Sequence, residues 1–193
     1  MSAWLLAIPA LVCAGGAIYQ ILGAVLVAHW LRENELPNDY GELPPITFLR
    51  PVKAGVPRLR AKLDRLARAM RPGDQLILGA AAVSAELNEC EALRRAFADR
   101  EIVVVPCREG AALNPKISKL VQMDSACRHE RLILSDSEAM IDAGWLDAFR
   151  CEWHSSGADA LTAGYRFVGA THVDGHTHLH LHPIILRTLL GPL

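Results

Sequence analysis

Two short runs carry the residue types that could manage a diphosphate. Ser135-Asp136-Ser137-Glu138 follows an apolar run, and two carboxylates two residues apart at a strand end can turn oxygens toward one hard cation or toward ribose hydroxyls. A divalent cation held there would act as a Lewis acid and neutralise a diphosphate as it leaves. The plainer reading is that Asp136 or Ser137 caps the next helix. Asn114-Pro115-Lys116 opens a helix whose amide groups and dipole favour an anion. Lys116 places a cation where that dipole opposes it, which suits phosphate binding; otherwise it is an ordinary surface lysine. Lys53, just after the first strand candidate, is a similar case. Neither a glycine-rich phosphate loop nor a Gly-x-Gly-x-x-Gly turn is present, so Walker-type hydrolysis and dinucleotide binding lose support.

The elements that must position these residues alternate. Strand candidates are Ile46 to Arg50, Gln75 to Gly79, Ile102 to Val105, Leu132 to Leu134 and Ala160 to Thr162. Between them, Pro57 to Met70 spaces Leu59, Leu63, Leu66 and Met70 as one helix face. Ser84 is an N-cap for a helix with acids early and Arg94 and Arg95 late. Asn114 and Pro115 start a helix running to about Cys127, and another covers about Asp142 to Trp153. Such alternation predicts parallel βαβ units with right-handed crossovers. Ligands then sit beyond the carboxyl ends of the strands. That rule selects Pro51 to Lys53, Ala80 to Ala82, Cys107 to Asn114, Ser135 to Glu138 and Gly164 to Arg166.

From Ala3 to Leu31 there is no Lys, Arg, Asp or Glu, a stretch long enough to span a bilayer. It lacks the basic start and short apolar centre of a cleaved signal peptide. Arg32 follows, and the region from Arg50 to Arg71 is basic with Asp64 as its one acid, which places the domain on the cytoplasmic side. The same arginines suit either a helix lying on lipid headgroups or a helix packed on a sheet with a solvated basic face. The five cysteines form no Cys-x-x-Cys pair, which argues against a disulfide framework and a zinc site. A net charge of −1 gives no global pull toward nucleic acid.

Four ordered landmarks, Leu49-Arg50-Pro51-Val52-Lys53, Asn114-Pro115-Lys116-Ile117-Ser118-Lys119-Leu120, Ile133-Leu134-Ser135-Asp136-Ser137-Glu138 and Leu161-Thr162-Ala163-Gly164-Tyr165-Arg166, resemble those of the ceramide glucosyltransferase-like family, which includes bacterial hopanoid-associated members. The resemblance covers roughly residues 44–168. It implies an α/β fold: an N-terminal transmembrane helix, then a partial GT-A (nucleotide-sugar-binding, Rossmann-like) parallel sheet with flanking helices. It also implies transfer of a sugar from a UDP-sugar to a membrane lipid hydroxyl, with a divalent metal, Mg or Mn, as cofactor. By that resemblance Lys53, Asn114, Lys116, Ser135 and Asp136 bind the donor, and Asp136 and Glu138 hold the metal. The division that follows is an anchor at 1–32, a linker at 33–45, a nucleotide-sugar-binding domain at 46–168 and a divergent tail at 169–193.

The sequence also departs from the pattern. The family carries an aspartate after the second strand, whereas Ala80-Ala81-Ala82-Val83-Ser84 has no carboxylate, which implies weaker nucleotide binding. The aspartate that serves the family as catalytic base, and its Gln/Arg-x-x-Arg-Trp motif, have no counterpart in the chain, so no catalytic residue is assigned and the expectation is a truncated member of doubtful activity. The alternative is an inactive nucleotide-binding or metal-binding membrane-anchored module. In the tail, His176, His178, His180 and His182 alternate as on one strand face, where imidazoles could take zinc, copper or nickel. Asp174-Gly175-His176-Thr177-His178 mimics the opening of a metal-dependent amidohydrolase, but too little chain follows for that barrel. The simplest expectation is a frame-shifted or truncated end.

Overall fold

The computed structural model describes residues 4–33, 43–108, 110–173 and 176–186. The chain divides into two compact units, Met1–Asn38 and Asp39–Leu193. In the first, α1 (Trp4–Glu33) contains the stretch Ala7–Leu26, with a mean hydropathy of 1.8 and none of it buried within the protein. Twenty helical residues extend about 30 Å, the thickness of a bilayer's hydrocarbon core. α1 is therefore a candidate membrane anchor. The expected linker, residues 33–45, lies largely outside the described residues.

The second unit runs β1 (Thr47–Pro51), α2 (Leu59–Ala69), β2 (Gln75–Ala81), α3 (Ala85–Ala96), β3 (Glu101–Cys107), α4 (Pro115–Asp124), β4 (Leu132–Leu134) and α5 (Ala143–Ser156). The four strands form one parallel sheet in the order β3-β2-β1-β4. The chain steps outward from β1 to β3, and α4 then carries it back to the far side of β1. The direction of winding thus reverses between β1 and β4, which makes a crevice at their carboxyl ends.

Local chemistry explains the helix starts. Ser84, Asn114 and Asp142 each accept a hydrogen bond from a backbone N–H in the first turn of α3, α4 and α5. Each such cap contributes about 1 kcal/mol. The helices cover both faces of the sheet. On one face Phe48, Leu76 and Leu78 meet Leu63 and Leu66 of α2, Leu93 of α3 and Leu146 of α5. On the other, Leu49, Ile77 and Cys107 meet Met123 of α4. Gly79 permits this second contact, because a Cβ there would lie 2.4 Å from the Met123 sulfur.

Two expectations change. Ala160 to Thr162 is not a fifth parallel strand: β5 (Thr162–Val173) pairs antiparallel with β6 (His176–Leu186) in a separate two-stranded sheet, with a register shift between Phe167 and Ala170. The partner of this segment is therefore the strand that follows it, although α5 supplies the kind of crossover that a fifth parallel strand would need. Of the two readings of the basic helix, the packed one holds. Leu59, Leu63 and Leu66 of α2 are buried, while Arg60 pairs with Asp64, Arg65 with Asp142 and Arg71 with Asp147, and Arg68 lies 5.4 Å from the Phe97 ring centre. These partners neutralise most of the stripe.

The strongest polar tie lies at the opposite end of the sheet from the crevice. Asp74, fully buried just before β2, pairs with buried Arg150 of α5 and also accepts from the Ile46 and Arg71 amides. Breaking such a pair strands a charge in the interior. Asp74→Asn is expected to lower the unfolding free energy of the full chain by about 3–5 kcal/mol in chemical denaturation. A change below about 1 kcal/mol, the range of exposed pairs, would contradict this role.

Candidate active site

The crevice between β1 and β4 gathers the charged residues singled out in the sequence. Lys53, two residues past β1, places its Nζ 3.6 Å from Glu138 Oε1. Lys116, in the first turn of α4, places its Nζ 2.5 Å from Asp136 Oδ1. Two loops and a helix start, separated by up to 85 positions between Lys53 and Glu138, thus meet as two cross-loop pairs. Both pairs are substantially exposed, so they contribute little stability and remain accessible to ligand.

The loop carrying Asp136 and Glu138 is held from beneath by Arg50, a residue sequence reasoning placed only within a landmark. Arg50 is fully buried, and its Nη2 donates to the carbonyl oxygens of Asp136, Ser137 and Ala139. Ser137 Oγ in turn accepts from the Lys53 amide at 3.4 Å. Burial holds the Lys62 amine of α2 below its usual pKa, partly countered by the attraction of Glu138 and reinforced by Arg50. Two largely buried cations therefore lie behind the acidic loop.

The other two expected donor residues do different work. Asn114 caps its own helix: its Oδ1 accepts from the amides of Lys116 and Ile117, and its carbonyl from Ser118. Pro115 has no N–H, so the first amides of α4 are already committed. The charge that this helix start presents to solvent is the Lys116 amine. Ser135 is buried, and its amide extends the β1–β4 ladder by donating to the Leu49 carbonyl at 3.1 Å. The landmark end, Gly164 to Arg166, lies where side chains are outside the described residues.

Beside the crevice, a cleft of about 400 Å³ opens over the carboxyl ends of β1, β2 and β3 and the start of α4. Two of its lining residues were missed as functional. Lys119 hydrogen-bonds the Val52 carbonyl, bracing α4 against the turn after β1. Glu86 accepts from the Gly55 amide at 2.9 Å, an interaction that leads in holding its pKa below the ordinary value. An ionised carboxylate therefore lines the cleft although the turn after β2 has none; in the sequence Glu86 reads only as a first-turn acid. Cys107 also lines the cleft, but burial raises its thiol pKa despite the pull of Lys119, so it is a poor nucleophile.

The carboxylates that the sequence offers to a divalent cation, Asp136 and Glu138, each face a lysine across the crevice. Among the described residues no three His, Cys, Asp or Glu side chains gather as a metal group. Mg-type ions bind through one or two carboxylates together with substrate phosphates and water. A pair of carboxylates beside two lysines fits that mode.

Two outcomes follow from this geometry. Lys116→Met is expected to leave the thermal midpoint of the full chain within about 2 °C, because an exposed pair is worth under about 1 kcal/mol, and a drop beyond about 5 °C would make Lys116 structural. Arg50→Met is expected to cost at least about 3 kcal/mol in denaturant unfolding, since it strips two buried carbonyls and one part-buried carbonyl of a charged donor. A cost near zero would show that the loop holds itself.

No curated protein matches the chain. The family model described as Glycosyl transferase family 21 matches residues 8–175 of the 193-residue sequence, taking in most of α1, the whole parallel sheet and the crevice between β1 and β4. Catalysis in such families joins a nucleotide-sugar donor to an acceptor. A match over residues 8–175 takes in most of the chain, which therefore belongs to glycosyl transferase family 21.

Proposed function

We propose that the protein transfers a sugar from a UDP-sugar to the hydroxyl of a membrane lipid, of ceramide or hopanoid type, with its α/β unit on the cytoplasmic side. The observation that supports this best is the meeting of Lys116 with Asp136 at the switch point. In the reaction the acceptor oxygen bonds to the anomeric carbon as the bond from that carbon to the diphosphate oxygen breaks. UDP leaves with the bonding electrons, and the hydroxyl proton passes to a base.

The residues divide the work by their charge. Lys116 and Lys53 attract the diphosphate, which a helix start with committed amides cannot do alone. The cleft beside them takes the nucleoside, with the Glu86 carboxylate available to accept from ribose hydroxyls. Asp136 and Glu138 would hold Mg or Mn, which supplies charge neutralisation of the departing diphosphate when bound. Arg50 keeps both carboxylates in place.

A tethered domain suits an acceptor that stays in the bilayer, because a shared membrane raises the local concentration of both partners. Arg32, directly after the apolar helix stretch, favours the cytoplasmic side, since the topology rule counts Lys and Arg within about 20 residues of the membrane.

Calorimetry on the full chain provides the test. UDP is expected to bind more tightly with Mn than without it. Asp136→Ala should abolish that difference, and Lys116→Met should weaken binding by about 10- to 100-fold, the worth of a charge-assisted contact. Metal-independent affinity, unchanged in Asp136→Ala, would overturn the reading. UDP binding without sugar transfer to any lipid hydroxyl would instead identify an inactive nucleotide-binding module.

A further inference from the structure

The histidines singled out in the tail belong to β6, and the backbone sets their spacing. His176, His178, His180 and His182 take alternate positions of β6 (His176–Leu186), so they share one face of the two-stranded sheet. The residues between them, Thr177, Leu179 and Leu181, belong to the other face, where the register sets them against His172, Ala170 and Phe167 of β5. One face is therefore largely apolar, while the other, along β6, is histidine alone. Ser, Thr or Lys would serve a merely polar face equally well. What a repeated imidazole adds is metal ligation.

The partner strand narrows the position. Residues directly opposite one another in an antiparallel pair share a face, which places Val173 with His176, Thr171 with His178 and Arg166 with His182. Between Phe167 and Ala170 the register shifts, so Val168 and Gly169 together oppose His180 as a bulge. Among these paired positions the one fixed charge is Arg166, and a guanidinium disfavours a cation beside it. The run best suited to a metal is thus His176, His178 and His180. Alternate strand positions are about 6.8 Å apart, close enough for two imidazoles to meet one ion at the usual distance of about 2.0–2.1 Å.

We propose that this face of β6 binds a transition-metal ion of the zinc, copper or nickel class through two histidines at alternate positions, with water completing the coordination. The chemistry is distinct from that of the crevice, whose carboxylates suit Mg-type ions. The site therefore stands or falls independently of the glycosyl-transfer reading. Because the chelate exists only while alternate residues share a face, a bound ion also holds β6 in its strand conformation.

The probe is Ni²⁺, titrated calorimetrically into the untagged full chain in lipid nanodiscs with Mg²⁺ in excess. Binding should saturate, and at about a hundred times its Kd the ion should slow hydrogen exchange of the β5 and β6 amides roughly 100-fold, the factor by which it shifts the opening equilibrium. His178→Gln combined with His180→Gln leaves His176 and His182 about 20 Å apart, too far to share an ion. Losing even a group that supports a ligand costs about 10- to 100-fold in affinity, so this variant should weaken binding by at least roughly tenfold. Asp136→Ala, in the crevice, and His172→Gln, on the opposite face, should bind Ni²⁺ as the parent does. In the His172→Gln background, a permuted variant (Thr177→His, His178→Thr, His180→Leu, Leu181→His) keeps the number of histidines in the run but leaves no two at alternate positions. It should also bind at least roughly tenfold more weakly. Retained affinity in either β6 variant overturns the proposal, as does a parent that binds no Ni²⁺. Binding that leaves exchange of the β5 and β6 amides unchanged overturns it as well, since a histidine tract without strand order would then be the ligand. Loss of Ni²⁺ binding in Asp136→Ala moves the ion to the crevice and has the same consequence.

Discussion

A guanidinium with no exposed surface must be surrounded by acceptors, and at the carboxyl end of β1 those acceptors are the carbonyl oxygens of the loop after β4. Burying a charge is tolerated only where hydrogen bonds replace its water. Arg50 therefore fixes the backbone of Asp136, Ser137 and Ala139 as a condition of its own burial, and the carboxylates of Asp136 and Glu138 project from a loop that cannot easily relax. The constraint also reaches α2, where the buried Lys62 amine has its pKa lowered by burial with Arg50 nearby, while Glu138 pulls it back. Two interior cations and one loop are thus a single electrostatic unit, and the sheet, through β1, sets its position.

What rises above that unit is deliberately loose. The Lys116–Asp136 and Lys53–Glu138 pairs are exposed, and in water such pairs exchange partners at little cost. A diphosphate can take the lysines from the carboxylates, and a divalent cation can take the carboxylates from the lysines, with the number of charge contacts conserved or increased. The structure therefore separates two requirements: rigidity is carried by buried Arg50 and affinity by groups that still face solvent. This is why substitutions at Lys116 and Arg50 should report on different quantities.

The legible parts of the sequence are those governed by local rules. Ser84, Asn114 and Asp142 cap helices where their side chains reach their own first-turn amides, and the strand candidates ahead of Lys53 and Asp136 lie in the parallel sheet. Strand ends were short by up to two residues, because β2 and β3 continue through small or cyclic residues, Ala80, Ala81 and Pro106, that carry no strong strand signal. What local rules could not give was long-range pairing. Nothing near Arg65 or Arg71 announces Asp142 or Asp147 as partners, and nothing near Glu86 announces the Gly55 amide. Arg50 looked like one more basic residue because its acceptors are carbonyls, which every residue has. The fifth strand candidate has a different partner from the expected one for a related reason: the short run Ala160 to Thr162 does not specify whether it pairs with the parallel sheet or with the following segment.

The commitment of the α4 amides bears on how the site must work. A helix start that offers free N–H groups binds phosphate through fixed dipoles close to the backbone. Here Pro115 lacks an N–H, Asn114 occupies the next amides, and in the proposed function the task passes to exposed lysine side chains. Point charges on flexible stems act over a longer range and are screened more strongly by salt than buried dipoles. Capture of the donor should therefore depend on ionic strength, while its orientation depends on the loop that Arg50 holds.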